Sequence, residues 1–155
     1  MTDSVKGVCA PSSDPEQMFV SRLVENEGVK RFAYKDSLGY VSVGIGRCLD
    51  QKKGKGLSID ECFYLLNNDL KECRSLLAGF NWYSKQDRTR QDVLVELCFN
   101  LGLKGLAAFK RMIAALEVNN YQVAVNELKD SLWATQVGKS RVDDITYRLL
   151  TGRYK

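Results

Sequence analysis

The spacing of apolar residues is helical along most of this chain and alternates in only one stretch, residues 32–47. From residue 41 to 46 the chain reads VSVGIG, and this period of two is typical of a β-strand. A strand over residues 32–35, a turn over 36–39 and a second strand over 40–46 would form one hairpin. The pattern therefore predicts an α+β protein, mainly α, with a small hairpin lobe.

Helix start and stop residues lie on both sides of the hairpin. Asp14 followed by Pro15 is a favourable helix start, and Gly28 suits the end of that helix. Ser58 and Glu61 match a capping box, which predicts a long helix from there to about residue 78. Its apolar stripe comprises Cys62, Phe63, Leu66, Leu70, Cys73 and Leu77.

The rest of the chain has only helical patterns, which predict helices over about residues 87–100, 106–118, 121–129 and 140–150. Gly102 is the expected stop of the first of these. We expect a tail over residues 1–13 and a single domain over 14–155, with a hairpin lobe over about 28–57 and a helical lobe over 58–155. A cleft between two such lobes is the expected binding place.

The absence of histidine excludes many kinds of active site. With no histidine among 155 residues, Ser-His-Asp and Cys-His nucleophiles and histidine-ligated zinc are ruled out. The five cysteines form no CxxC pair, so we expect no structural zinc, no metal and no cofactor. Their odd number and wide spacing favour reduced thiols, several of them in the core. Carboxylates are the leading candidates for proton transfer. The formal net charge of +4 favours an anionic partner without identifying it.

Glu27, Asp36 and Ser42 form the candidate constellation. Eight residues separate Glu27 from Asp36, and five separate Asp36 from Ser42. The glutamate ends the first helix, the aspartate lies in the hairpin turn, and the serine lies on the returning strand. Glycoside hydrolysis needs an acid for the leaving oxygen and a way to position a water. The spacing alone favours a simpler interpretation, a solvated glutamate at the helix end and an aspartate in a turn, because 19 acidic residues give such a pair by chance.

The surrounding residues resemble the catalytic region of glycoside hydrolase family 24, the phage-type lysozymes or endolysins. The resemblance covers about residues 18–154, and its most specific part runs from Glu27-Gly28 through Tyr34-Lys35-Asp36 to Gly44-Ile45-Gly46. In that family the pattern is Glu, eight residues, Asp, five residues, Thr, and then Gly-Ile-Gly-His. Looser matches are Phe99-Asn100-Leu101-Gly102 with Phe109, then Trp133 with Gln136, Gly138 and Arg141, and finally residues 148–152.

The resemblance implies a role for each matching residue. Glu27 corresponds to the catalytic acid, and Asp36 to the carboxylate that orients or activates the water. Ser42 stands where the family has threonine, and Arg47 stands where it has histidine. We expect substrate contacts from Tyr40, Arg47, Asn100 and Arg141, whereas Leu97, Phe99, Phe109 and Trp133 fit a core better than a sugar platform.

The function implied is a muramidase that cleaves the β-1,4 bond between N-acetylmuramic acid and N-acetylglucosamine in bacterial peptidoglycan. We expect inversion, and a role in phage-type host lysis or wall penetration. No secretion signal is recognisable, so we expect synthesis in the host cytoplasm and release to the wall through a separate holin-type pore. We also expect a monomer with no stable membrane insertion. The alternatives are a lytic transglycosylase and a non-catalytic peptidoglycan-binding module. No nucleic-acid motif accompanies the short patch of Lys52, Lys53 and Lys55.

Overall fold

The computed structural model describes residues 14–155, so the tail expected over residues 1–13 lies outside the described part. The described residues form helices and one small antiparallel sheet, which confirms an α+β fold that is mainly α. They divide into two compact units between Cys62 and Phe63. Within residues 14–155, none of the helices is long and apolar enough to cross a membrane.

The first unit begins with helix α1, Pro15–Glu27. Its ends are as predicted: the Asp14 side chain accepts a hydrogen bond from the Glu16 N–H at 3.2 Å, and Gly28 has φ +68°. Strands β1 (Lys30–Lys35), β2 (Val41–Gly44) and β3 (Arg47–Cys48) follow, and the sheet order is β1-β2-β3.

The predicted second strand over residues 40–46 is too long. It ends at Gly44, and Ile45 and Gly46 form a turn into β3, a strand that the sequence did not predict. Both Gly44 and Gly46 have φ near +70°, a backbone conformation outside the β region that glycine adopts without a steric penalty. The two glycines therefore turn the chain where the alternating pattern alone would have continued the strand.

Helix α2 runs over Ile59–Leu77 and starts at the predicted capping box. The Ser58 N–H donates to Glu61 Oε2 at 2.8 Å, and the Glu61 N–H donates to Ser58 Oγ at 3.2 Å. The predicted apolar stripe is buried only near the end of the helix, at Cys73 and Leu77, with Leu70 partly covered. The core position expected for the Cys62 thiol was wrong, because Cys62 is exposed, and Phe63 and Leu66 of the same stripe are exposed as well.

The second unit continues with further helices, of four to 20 residues. They are α3 (Asn81–Ser84), α4 (Arg88–Ala107), α5 (Lys110–Glu117), α6 (Tyr121–Lys129), α7 (Leu132–Val137) and α8 (Lys139–Thr151). Helix α6 has the predicted bounds, and α5 begins four residues later than expected. Gly102 interrupts α4 with φ +69° and ψ +164°, as a helix stop would, but the chain resumes helical geometry after it. Neither α3 nor α7 was predicted.

The core of the second unit is a cluster of apolar side chains from its helices and from the end of α2. Leu97 and Trp133 are buried, and Phe109 packs against the cluster, as predicted. Phe99 is 44% exposed, so its assignment to the core was wrong. It directly follows the buried Cys98 on α4, where the next residue of a helix points about 100° away from its neighbour.

Asp92 on α4 is the carboxylate that joins three elements of this unit. It accepts hydrogen bonds from Arg74 Nη2 at 2.7 Å, Arg88 Nε at 3.0 Å and the Tyr154 hydroxyl at 3.0 Å. Burial on its own would raise the pKa of Asp92. The hydrogen bonds from Arg74, Tyr154 and Arg88 outweigh it, so the pKa lies below the ordinary value of 3.8.

We expect Asp92→Asn to destabilise the protein by about 1–2 kcal/mol at neutral pH. A lowered folded-state pKa gives stability that is complete above the unfolded pKa and is lost as pH falls through the folded pKa. The difference from wild type should therefore be constant between pH 5 and pH 7 and shrink below about pH 4. Urea unfolding at pH 7, 5 and 3 measures it. The exposed α8 carboxylate variant Asp143→Asn is the control, and a difference that grows at pH 3 would contradict the account.

Candidate active site

Glu27 is the last residue of α1, and its carboxylate lies beside the backbone of Gly46 in the β2–β3 turn. A Cβ built on Gly46 would lie 3.4 Å from Glu27 Oε2 and 3.8 Å from its Cδ. Within residues 14–62, no hydrogen bond or ion pair engages this carboxylate. Its side chain is exposed, so the helix end and the turn present a carboxyl group that a ligand can reach.

Asp36 has a carboxylate that the hairpin backbone holds in place. Its Oδ1 accepts hydrogen bonds from the N–H groups of Leu38 and Tyr40, each at 2.9 Å. The Asp36 N–H also donates to the Tyr40 carbonyl at 2.8 Å, which closes the hairpin. Capping a turn accounts for Oδ1, as the simpler interpretation of the sequence expects. The two bonds to Oδ1 fix the orientation of this half-buried carboxylate. Neither of these two backbone donors is bonded to Oδ2, so that oxygen can accept a hydrogen bond from another group.

Ser42 lies in β2 directly opposite Tyr34 and is only 3% exposed, the one buried residue between positions 14 and 62. Residues directly opposite in an antiparallel pair project from the same face, and so do residues two apart along a strand. Asp36, two residues after Tyr34 and one residue past the end of β1, is therefore a diagonal neighbour of Ser42, a relation that corresponds to about 7–8 Å between Cα atoms.

Tyr40 and Arg47, two of the four predicted substrate contacts, lie in the same unit as these three residues. Tyr40 is half-buried and closes the Asp36 turn with its backbone. Arg47 donates two hydrogen bonds to Glu61, from Nη2 to Oε1 at 2.7 Å and from Nη1 to Oε2 at 3.0 Å. It also donates to the Gly56 carbonyl at 3.1 Å. The guanidinium is thus already engaged by protein groups, and a substrate role for either residue stays a prediction.

Asn100 and Arg141, the other two predicted contacts, belong to the second unit and have protein partners there. Asn100 Oδ1 accepts a hydrogen bond from Trp133 Nε1 at 2.8 Å. Arg141 pairs with Glu96 at 3.3 Å, and Glu96 also accepts a hydrogen bond from the buried Arg148 at 2.6 Å. These bonds orient both side chains, but they do not test whether a substrate meets them.

Three residues of these arrangements were not anticipated. The proximity of Gly46 to the side chain of Glu27 was not predicted from the sequence. The sequence identified Glu61 only as part of a helix cap. Its negative charge, opposite in sign to that of Arg47, was the signal that could have suggested the ion pair. No sequence pattern singled out Glu96.

Comparison with known proteins gives consistent results. A family model described as phage lysozyme matches residues 24–149. The chain is 25% identical to the pre-baseplate central spike protein Gp5 of Enterobacteria phage T4, over 92% of this chain and 29% of the spike protein. It is 25% identical to probable T4-type lysozyme 1 of Dictyostelium discoideum, over 72% and 81%. It is also 26% identical to the SAR-endolysin of Haemophilus phage HP1, over 72% and 65%. The chain thus spans less than a third of the spike protein.

We expect Gly46→Ala to lower the hydrolysis of a peptidoglycan suspension by about tenfold or more, because a methyl group beside Glu27 Oε2 occupies space that the reacting atoms need. Gly44→Ala is the matched control. Gly44 has a similar positive φ, but a Cβ there would have nothing within 4 Å. Both variants should therefore lose comparable stability from backbone strain. Thermal melts with turnover assays separate the effects, and equal losses of activity in both variants would reject the contact as the cause.

Proposed function

Because the chain belongs to the phage lysozyme family, a family of glycoside hydrolases, we propose that it is a muramidase. Its substrate would be the β-1,4 bond between N-acetylmuramic acid and N-acetylglucosamine in bacterial peptidoglycan. Relatives named as a T4-type lysozyme and an endolysin support a substrate in the bacterial wall. The formal net charge of +4 suits an anionic polymer of this kind.

The observation that carries the proposal is the position of the Glu27 carboxylate. It lies at a helix end, beside a glycine that adds no side chain of its own, and no residue among 14–62 forms an ion pair with it. A carboxyl group so placed can give its proton to the oxygen of a sugar leaving group, which is the acid step of glycoside hydrolysis. Glu27 is therefore assigned as the general acid.

Asp36 and Ser42 supply the water step in this proposal. The two backbone donors on Oδ1 fix the Asp36 carboxylate, and its Oδ2 can accept a proton from a water. The Ser42 hydroxyl, on the same face of the hairpin by strand register, can accept or donate a hydrogen bond to that water. A serine lacks the methyl group of the family's threonine, so its hydroxyl has more rotational freedom.

A lytic transglycosylase is the main alternative among enzymes. Such an enzyme uses one acid and an internal sugar hydroxyl, so Asp36 and Ser42 would have no task. A non-catalytic peptidoglycan-binding module would need none of the three. We also propose that the enzyme is a monomer that acts on the host wall in lysis or penetration. It would be made in the host cytoplasm and released through a separate pore.

We expect Glu27→Gln to keep the fold and lose at least about 100-fold in peptidoglycan hydrolysis, because glutamine keeps the shape but has no acidic proton. Glu25→Gln, an exposed change two residues earlier in α1, is the matched control and should retain activity. Mass spectrometry of the wild-type products distinguishes the alternatives. Anhydro sugars would indicate a transglycosylase, and no cleavage at all would indicate a binding module.

We expect the first product to have the α configuration at its new reducing end. The substrate bond is β, and an inverting enzyme places a water between the sugar and the second carboxylate, which requires about 6.5–9.5 Å between the two carboxyl groups. The Ser42 hydroxyl can hydrogen-bond such a water, whereas a nucleophilic aspartate would attack the sugar without any water for Ser42 to hold. Proton NMR of a freshly digested oligosaccharide, recorded before mutarotation, reads the anomer. A β product first, or a trapped glycosyl–Asp36 adduct, would overturn inversion.

A further inference from the structure

The ion pair between Arg47 and Glu61 joins two neighbouring elements of the first unit. Arg47 is the first residue of β3, and Glu61 lies in the first turn of α2. Two parallel N–H···O bonds of 2.7 and 3.0 Å make the pair bidentate, which fixes orientation as well as distance. Both side chains are about 40% exposed, and pairs so exposed contribute little to stability. A role in geometry is therefore separable from a role in folding.

Glu61 is itself anchored by the start of α2. Its carboxylate accepts the Ser58 N–H at 2.8 Å, and its own N–H donates to Ser58 Oγ at 3.2 Å. Arg47 is thus tied to a helix terminus through a side chain that has little freedom of its own. The same guanidinium binds the Gly56 carbonyl, so the loop that leads into the helix is held as well.

The β2–β3 turn needs such an anchor. β3 has two residues, so its register with β2 consists of only two pairs, Ser42 with Cys48 and Val43 with Arg47. Glycines at positions 44 and 46 flank Ile45, and glycine has the greatest backbone freedom to lose. A short ladder around two glycines fixes a turn weakly, and Arg47 comes directly after Gly46.

We propose that Arg47 and Glu61 are positioning residues for Glu27: their ion pair holds β3 on α2 and so keeps the Gly46 backbone against the Glu27 carboxylate. The inference rests on the proposed muramidase function for its kinetic consequence. The geometry that it maintains is the proximity of Gly46 to Glu27, in which a Cβ built on the glycine would lie 3.4 Å from Glu27 Oε2. When the Arg47–Glu61 ion pair is broken, the β2–β3 turn can move away from Glu27. The Glu27 carboxylate is then no longer held in one orientation by the Gly46 backbone.

The kinetic test uses Arg47→Met and Glu61→Gln on a soluble peptidoglycan fragment. Glutamine at position 61 can still accept the Ser58 N–H, so the helix cap survives while the charge is lost. Both variants should lower kcat by about fivefold to a hundredfold, with KM within twofold of wild type and Tm within about 4 °C. The double variant should be no worse than Arg47→Met alone, because that change already removes the ion pair as well as the hydrogen bond to Gly56.

The control is Arg88→Met, which removes an exposed arginine that pairs with Asp92 in the second unit and should leave kcat and KM unchanged. A rise in KM for Arg47→Met alone would show instead that Arg47 contacts substrate. Additive losses in the double variant, or unchanged kcat in both single variants, would also overturn the proposal.

A measurement that needs no activity separates this inference from the proposed function. Backbone amide order parameters of Gly44 and Gly46, read by NMR relaxation, should fall in both single variants, while that of Gly39 in the other turn should not change. If wild type fails to cleave peptidoglycan but these values fall, the anchoring stands and the proposed function does not. If wild type is active and Gly46 keeps its wild-type order, the anchoring is wrong.

Discussion

The close approach of the Glu27 carboxylate to Gly46, which has no side chain, is the constraint around which the candidate site is arranged. Gly46 meets two requirements at once: it adopts φ +74°, and it leaves free the space in which a Cβ would lie 3.4 Å from Oε2. Gly28, with φ +68°, turns the chain at the end of α1 so that the hairpin follows at once. The acid therefore depends on backbone geometry at both ends of the connection, with Gly28 on one side and Gly46 on the other.

The two units are stabilised in different ways. The buried apolar residues of the described chain begin at Cys73, and the second unit has a continuous core of leucines, valines and tryptophan. In residues 14–62 the one buried residue is Ser42, and order comes from helix caps, an aspartate that closes a turn, two short ladders and the Arg47 ion pair. Each such interaction is individually modest. The geometry of the proposed site can therefore change without loss of the core of the second unit.

Features with a local cause were predictable from the sequence. The start and end of α1, the Ser58–Glu61 capping box and the bounds of α6 follow from residues within one turn of the feature. Strand β3, α3 and α7 have two, four and six residues, too few to show a period. Helical spacing identified the apolar face of α2 but not how much of it would be covered, so Cys62 is exposed where a core thiol was expected, and Phe63 beside it is exposed as well. Glu61, the partner of Arg47, lies 14 residues along the chain, so the pair could be identified only from the three-dimensional structure.

The arginine at position 47 changes how the site depends on pH. In the family pattern that the chain resembles, a histidine follows Gly-Ile-Gly, and histidine loses its charge near its ordinary pKa of about 6.5. Arginine keeps its charge throughout the pH range of a folded protein. The pKa of Glu61 is lowered, first by the hydrogen bond from the Ser58 backbone and, against some opposition from burial, by Arg47. The pair is therefore complete above the ordinary glutamate pKa and is lost only as pH falls through the lowered one. In the proposed arrangement, the β2–β3 turn beside Glu27 thus stays anchored by an ion pair from mildly acidic to alkaline pH, whereas a histidine at position 47 would lose its charge, and with it the ion pair, near neutral pH.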